Sequence, residues 1–286
     1  MSVKELVLEG LTGPLAGLEA GAPDGDPLVC LHGWLDNAAS FGPLAERLPN
    51  YRWICVDLPG HGKSAYRPDG AVYHYTDYLG DVYRVLESLE LERCTLVGHS
   101  LGAGIAAVFA AAFPSMVDRL VMIDGIGPIA GDSGNTLEQL RESLEFLGRN
   151  DDTGPRFYPS WNRVVERRLQ AGDISRTGVE TLLSRGAVRK GEGTVVLSDG
   201  RLKQRSPLYM SQQKVVSILA GIEAPALLII ARQGLIANRA TTTERIAAIP
   251  DLTQEAVAGG HHVHLDDPAA MASVIDRFLE DRKGGT

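Results

Sequence analysis

The chain has 286 residues, 44% hydrophobic and 22% charged, a length and composition that bury a sizeable core and exclude a mostly disordered chain. Its formal charge is -8 with a pI near 5.4, which disfavours nucleic acid as a partner. The longest apolar stretch, 103–113, is too short to span a membrane, and the N-terminus MSVKELVLEG lacks the pattern of a signal peptide.

In chain order, 3–9 and 14–20 read as an opening hairpin. Residues 27–31 (PLVCL), 53–58 (WICVDL), 94–97 (CTLV) and 120–124 (LVMID) read as buried strands, and 226–231 (ALLIIA) and 253–257 (TQEAV) follow later. Helical patterns lie at 37–48, 75–89, 101–113, 241–248 and 268–282. This alternation predicts an α/β fold with a mostly parallel sheet. The interval 129–205 breaks the rhythm: it is charged, helical in pattern and without strong strand runs. From 136 to 205 it carries 13 basic and 10 acidic residues, a local +3 in a chain of -8. It reads as an inserted helical lid (cap), with 1–128 and 206–286 forming the core domain; solvated helices with no part in the site are the plainer alternative.

Cys30, Cys55 and Cys94 each sit in an apolar run and read as free buried thiols of a reducing compartment, the cytoplasm. The strongest motif is Gly98-His99-Ser100-Leu101-Gly102, which follows the strand CTLV and precedes a small-residue helix. A sharp strand-to-helix turn strains its central residue and lifts the serine oxygen above the sheet. Free N–H groups and the positive end of the helix dipole then lie beside it.

The motifs Leu31-His32-Gly33-Trp34, Asp57-Leu58-Pro59-Gly60-His61-Gly62-Lys63-Ser64, Gly98-His99-Ser100-Leu101-Gly102 and Gly259-Gly260-His261 occur in that order. With them the sequence resembles the α/β-hydrolase superfamily over nearly its whole length. The Ile123-Asp124-Gly125 segment and the Gly260-His261-His262-Val263-His264 ending resemble the serine-hydrolase-like, esterase branch. The resemblance implies an α/β-hydrolase fold, Ser100 as nucleophile, and an oxyanion hole from the backbone N–H groups of Leu101 and Trp34. Gly62-Lys63-Ser64 is not a phosphate-binding loop, because that motif needs glycine at position 57, where Asp57 stands.

A serine hydroxyl needs a base. The resemblance implies His261, framed by Gly260, Asp266 and Pro268, with His262 and His264 ordering the same loop. A zinc site on the three histidines competes, but no acidic residue stands at the helical spacing of zinc motifs. The usual family position for the acid, after the 226–231 strand, reads Arg232-Gln233-Gly234-Leu235-Ile236-Ala237 and holds no carboxylate. A second family variant places it at Asp124, keeping the order Ser100, Asp124, His261. An Asp capping a local turn is the alternative.

These residues predict acyl transfer from a small-molecule ester to water, with no cofactor, no metal and no nucleic-acid partner. Phe157, Tyr158, Trp161 and Tyr209 are candidate substrate-binding aromatics or simple packing. Lactone, thioester, amide and C–C bonds remain open, as does a ligand-binding relative with little turnover.

Overall fold

The computed structural model describes residues 2–131, 133–148 and 154–281. Its main sheet has eight strands. These are β1 (Val3–Glu9), β2 (Pro14–Gly21), β3 (Pro27–Leu31), β4 (Arg52–Val56), β5 (Cys94–His99), β6 (Val117–Ile123) and, after three short strands described below, β10 (Ala226–Ala231) and β11 (Leu252–Val257). The spatial order is β1-β2-β4-β3-β5-β6-β10-β11; β1, β2 and β4 pair antiparallel and every other pair is parallel.

Alternation along the strands builds two cores. Val29, Leu31, Ile54, Val56 and Leu96 face one side, under α2 (Asp77–Ser88), α3 (Leu101–Ala112) and α7 (Gln212–Leu219). Leu28, Cys30, Trp53, Cys55 and Val97 face the other, under α1 (Gly42–Arg47) and α10 (Pro268–Asp281). Both faces are covered, so these strands are apolar throughout, and each fully buried Leu or Val contributes roughly 1.5–3 kcal/mol. The three cysteines are free and buried. The 268–282 helix is described to Asp281; Arg282 lies outside the described residues.

Between β6 and α7 runs a long insertion. It holds α4 (Thr136–Gly148), α5 (Trp161–Ala171) and α6 (Arg176–Gly186), as the sequence suggests. It also holds β7 (Arg156–Tyr158), β8 (Ala187–Lys190) and β9 (Gly193–Val196), an antiparallel sheet in the order β7-β9-β8. The sequence reading, helical in pattern and without strong strand runs, misses these strands. The strands are only three or four residues long, with β8 mostly exposed, too short for a strong apolar run. The remaining helices are α8 (Ala240–Ala248) and α9 (Val263–Asp266). Among the described residues no helix is long and apolar enough to cross a membrane.

From β3 the chain moves outward to β4 and then returns to β5 on β3's other side. That reversal opens a crevice at the carboxyl ends of β3 and β5, where open α/β sheets place ligands.

Candidate active site

The crevice is flanked by the turns that follow β3 and β5. At the second turn Ser100 has φ 51° and ψ -110°, a conformation rare outside glycine. Its N–H donates to the Ile123 carbonyl at 3.0 Å and its carbonyl accepts from Gly104. The flanking glycines are required by space. A Cβ on Gly98 would overlap the Ala103 backbone, and one on Gly102 would overlap the Leu31 carbonyl. Only without those carbons do β5, α3 and β3 approach closely enough to hold the strained serine at the N-terminus of α3.

Positive φ values occur at four described non-glycine residues: Leu35, Glu90, Ser100 and Asp124. Leu35, Ser100 and Asp124 stand just past the ends of β3, β5 and β6, around one crevice. Asp124 is buried, and its N–H donates to Ile229 of β10. One carboxylate oxygen, Oδ2, accepts from His261 Nδ1 at 2.6 Å and from the Leu235 N–H at 2.8 Å. A Cβ on Gly234 would overlap this carboxylate, so the turn after β10 is shaped around Asp124. Gln233, which stands where the usual acid is missing, accepts from the Gly259 N–H at 2.8 Å and anchors the start of the histidine loop.

The turn after β3 closes with an Asp36 N–H bond to the Gly33 carbonyl. Gly102 N–H donates to the His32 carbonyl at 3.2 Å, tying the loop that carries Trp34 to the first turn of α3, which carries Leu101. Trp34 is 49% exposed, and its indole N–H donates to the Leu202 carbonyl of the insertion. His32 orders the loop: its Nε2 accepts from the Leu58 N–H and its Nδ1–H donates to the Gly33 carbonyl. Burial holds its pKa down at about 4, so the ring is neutral.

His262 and His264 order the histidine loop, as expected. His262 Nδ1–H donates to the Asp173 carbonyl of the insertion, and His264 Nε2 pairs with Ser40 Oγ at 2.6 Å. Two residues that sequence reasoning missed join them. His99 Nε2–H donates to the His261 carbonyl at 2.9 Å, and the carboxylate of Asp36 lies against His99, His262 and Arg168 of α5. Among the described residues no group of three or more His, Cys, Asp or Glu side chains is arranged to hold a metal ion.

The structure brings Ser100, Leu101, Asp124, His261 and Trp34 to neighbouring turns at one edge of the sheet. It gives the aromatics 157, 158 and 161 contacts inside the insertion instead. Phe157 is 63% exposed and lies over Gly193, where a Cβ would overlap its ring. Tyr158 and Trp161 pack against the insertion's own core of Val164, Val165, Val179, Leu182 and Leu183, and Arg189 stacks over Trp161 at 5.5 Å. A short edge strand and an adjoining helix need aromatic cover of their own. Tyr209 lies beside Gly131, where the chain leaving β6 pairs with Met210. Asp57, the position that fails the phosphate-loop pattern, accepts from the backbone N–H groups of Ala38 and Lys63 and from Arg185 of α6.

Comparison with known proteins agrees with this architecture. The family described as the alpha/beta hydrolase fold matches residues 26–268. The chain is 33% identical over 281 residues to a serine hydrolase-like protein of Danio rerio, covering 94% of this chain and 86% of that one. It is 30% identical to serine hydrolase-like protein 2 of Homo sapiens, covering 97% and 94%. A crystal structure of a hypothetical protein from Pseudomonas aeruginosa PAO1 superposes with a TM-score of 0.90 at 35% identity, covering 98% of this chain and 99% of that one. This chain therefore belongs to the alpha/beta hydrolase fold family, in its serine-hydrolase-like branch, and is a hydrolase.

Proposed function

We propose that this hydrolase cleaves a carboxylic ester, or a related acyl bond, through an acyl-enzyme on Ser100. Ser100 Oγ attacks the carbonyl carbon while His261 takes its proton. The tetrahedral oxyanion is held by the backbone N–H groups of Trp34 and Leu101. The C–O bond to the leaving group breaks as His261 returns the proton to the departing alkoxide. Water, activated by the same imidazole, then hydrolyses the acyl-enzyme.

The observation that carries this reading is the 2.6 Å bond from His261 Nδ1 to Asp124, beside a serine in strained backbone. A hydrogen on Nδ1 leaves the Nε2 lone pair free to act as base, and the carboxylate stabilises the imidazolium that forms. Asp124 thereby stands in for the acid absent after β10. The insertion acts as a cap, because its segments carrying Asp173 and Leu202 meet the histidine loop and the Trp34 loop. The chemistry requires no cofactor.

The test is hydrolysis of short-chain p-nitrophenyl esters by wild type and Ser100→Ala. Loss of turnover in the variant, at unchanged melting temperature, is the expected result. Equal rates in both contradict the proposal.

A further inference from the structure

The reaction outlined above uses Ser100, His261 and Asp124, yet a further carboxylate, Asp36, lies against the histidines beside them. It is buried. One oxygen, Oδ1, pairs with the Arg168 guanidinium of α5. The other, Oδ2, lies 3.4 Å from His262 Nε2 and 3.6 Å from His99 Nδ1. A Cβ on Gly33 would sit within 3 Å of both His99 Nδ1 and Asp36 Oδ2, so the turn after β3 is cut to fit this junction.

Donor and acceptor accounting shows what the carboxylate does. His99 spends its one hydrogen on the His261 carbonyl, through Nε2, and burial keeps its pKa near 4. Its Nδ1 is therefore a lone pair. His262 spends Nδ1–H on the Asp173 carbonyl, so a hydrogen on its Nε2 makes it an imidazolium. Burial opposes that charge, but the Asp36 carboxylate 3.4 Å away outweighs burial and the net shift is upward. Burial likewise opposes the Asp36 charge, and His262 and Arg168 together hold its pKa well below the usual range. Of the three groups at this junction, His262 is thus the one on which a proton is favoured. The groups facing that ring are Asp36 from the turn after β3, Arg168 from α5, His99 from β5, and His261 and His264 from its own loop.

We propose that Asp36 is a positioning residue: through Arg168 and His262 its buried carboxylate sets the mutual placement of the insertion, the histidine loop and the turn after β3 that carries Trp34. The effect on His261 is indirect. His99 holds its carbonyl on one side and His262 anchors the next residue to Asp173, so the imidazole is aimed by atoms that Asp36 keeps in register. Misplacement of a base by about 1 Å costs about a hundredfold in rate.

This inference rests on the serine-hydrolase reading, and the experiment separates the two. Folded, full-length protein is labelled with a fluorophosphonate, well below its melting temperature. The second-order labelling rate at Ser100 is measured for wild type, Asp36→Asn, His262→Gln, Arg168→Gln and the Asp36→Asn/His262→Gln double variant. A wild type that is not labelled at Ser100 overturns the function itself. With wild type labelled, Asp36→Asn is expected to slow labelling at least tenfold, and the double variant no more than twofold further. In a Ser100→Ala background, NMR titration of His262 is expected to move to lower pH in Asp36→Asn, a readout that a loss of packing alone does not move. A labelling loss under threefold, an unmoved His262 titration, or multiplying effects in the double variant overturns the proposal. If Asp36→Asn does not fold, His262→Gln and Arg168→Gln decide. Slowing of at least threefold in both supports the proposal, and less in either overturns it.

Discussion

Replacing Asp124 by Asn tests the acid at nearly constant volume. Two donors, His261 Nδ1–H and the Leu235 N–H, converge on the same oxygen. The Leu235 N–H cannot turn, so it favours the amide oxygen at that place and puts the NH2 where Oδ1 now stands. There Oδ1 is buried without a hydrogen-bond partner, and an NH2 would be an unsatisfied donor, costing about 1–3 kcal/mol of stability. In that orientation the tautomer survives and the enzyme loses only the charge. A charge-assisted bond contributes about 1.5–3 kcal/mol, so kcat falls roughly 10- to 150-fold. In the flipped orientation the NH2 faces His261, the wrong tautomer is selected, and the loss reaches ~10⁴. The assay is kcat on a short-chain p-nitrophenyl ester at saturation, with the melting temperature measured beside it. A fall of about 10- to 150-fold, rising to ~10⁴ if the amide flips, with a melting point a few degrees lower is expected. A fall of less than tenfold refutes Asp124 as the partner of His261.

Three other outcomes follow from the packing and the buried charges. Arg185 of α6 is buried against Asp57, so Arg185→Gln strands a buried carboxylate and should cost about 3–5 kcal/mol in urea denaturation; an unchanged midpoint contradicts this. Gly102→Ala drives a methyl into the Leu31 carbonyl, and a loss of roughly 3 kcal/mol or more is expected, read as a melting temperature lower by several degrees, against none if the β3–α3 approach is loose. Burial pushes His32, His61 and His99 down to about 4, 3 and 4, so on unfolding at acid pH each takes up a proton. Their contribution is present above the unfolded value of about 6.5 and lost as pH falls, up to about 1.4 kcal/mol per pH unit per ring, opposed by the raised His262. The urea midpoint should therefore drop between pH 7 and pH 5, and a midpoint that rises contradicts the assignment.

The strands at 27–31 and 226–231 were legible to the residue, because both faces of each are covered and every position is apolar. β6 begins at Val117 rather than 120, since Asp118 and Arg119 interrupt the apolar pattern at its half-exposed start. The insertion's sheet was hidden for another reason. Arg156, Arg189 and Lys190 give its strands a polar reading, although Gly191 at φ 62° between Val188 and Thr194-Val195-Val196 is a hairpin signal. The nucleophile turn was legible because its glycines answer local steric demands. Asp124 was reached through the empty position after β10. Asp36 and His99 were not legible, because their partners lie far away in sequence and only the folded chain brings Arg168 and His262 against one carboxylate.

The central claim is that the hydroxyl of residue 100 forms the covalent intermediate. Its most direct test is peptide mapping by mass spectrometry after brief mixing with a p-nitrophenyl ester and an acid quench, alongside fluorophosphonate-treated protein. The account predicts acyl and phosphonyl adducts on the peptide holding Ser100, and none in Ser100→Ala. Turnover with no adduct there, or an adduct that persists in the variant, contradicts it.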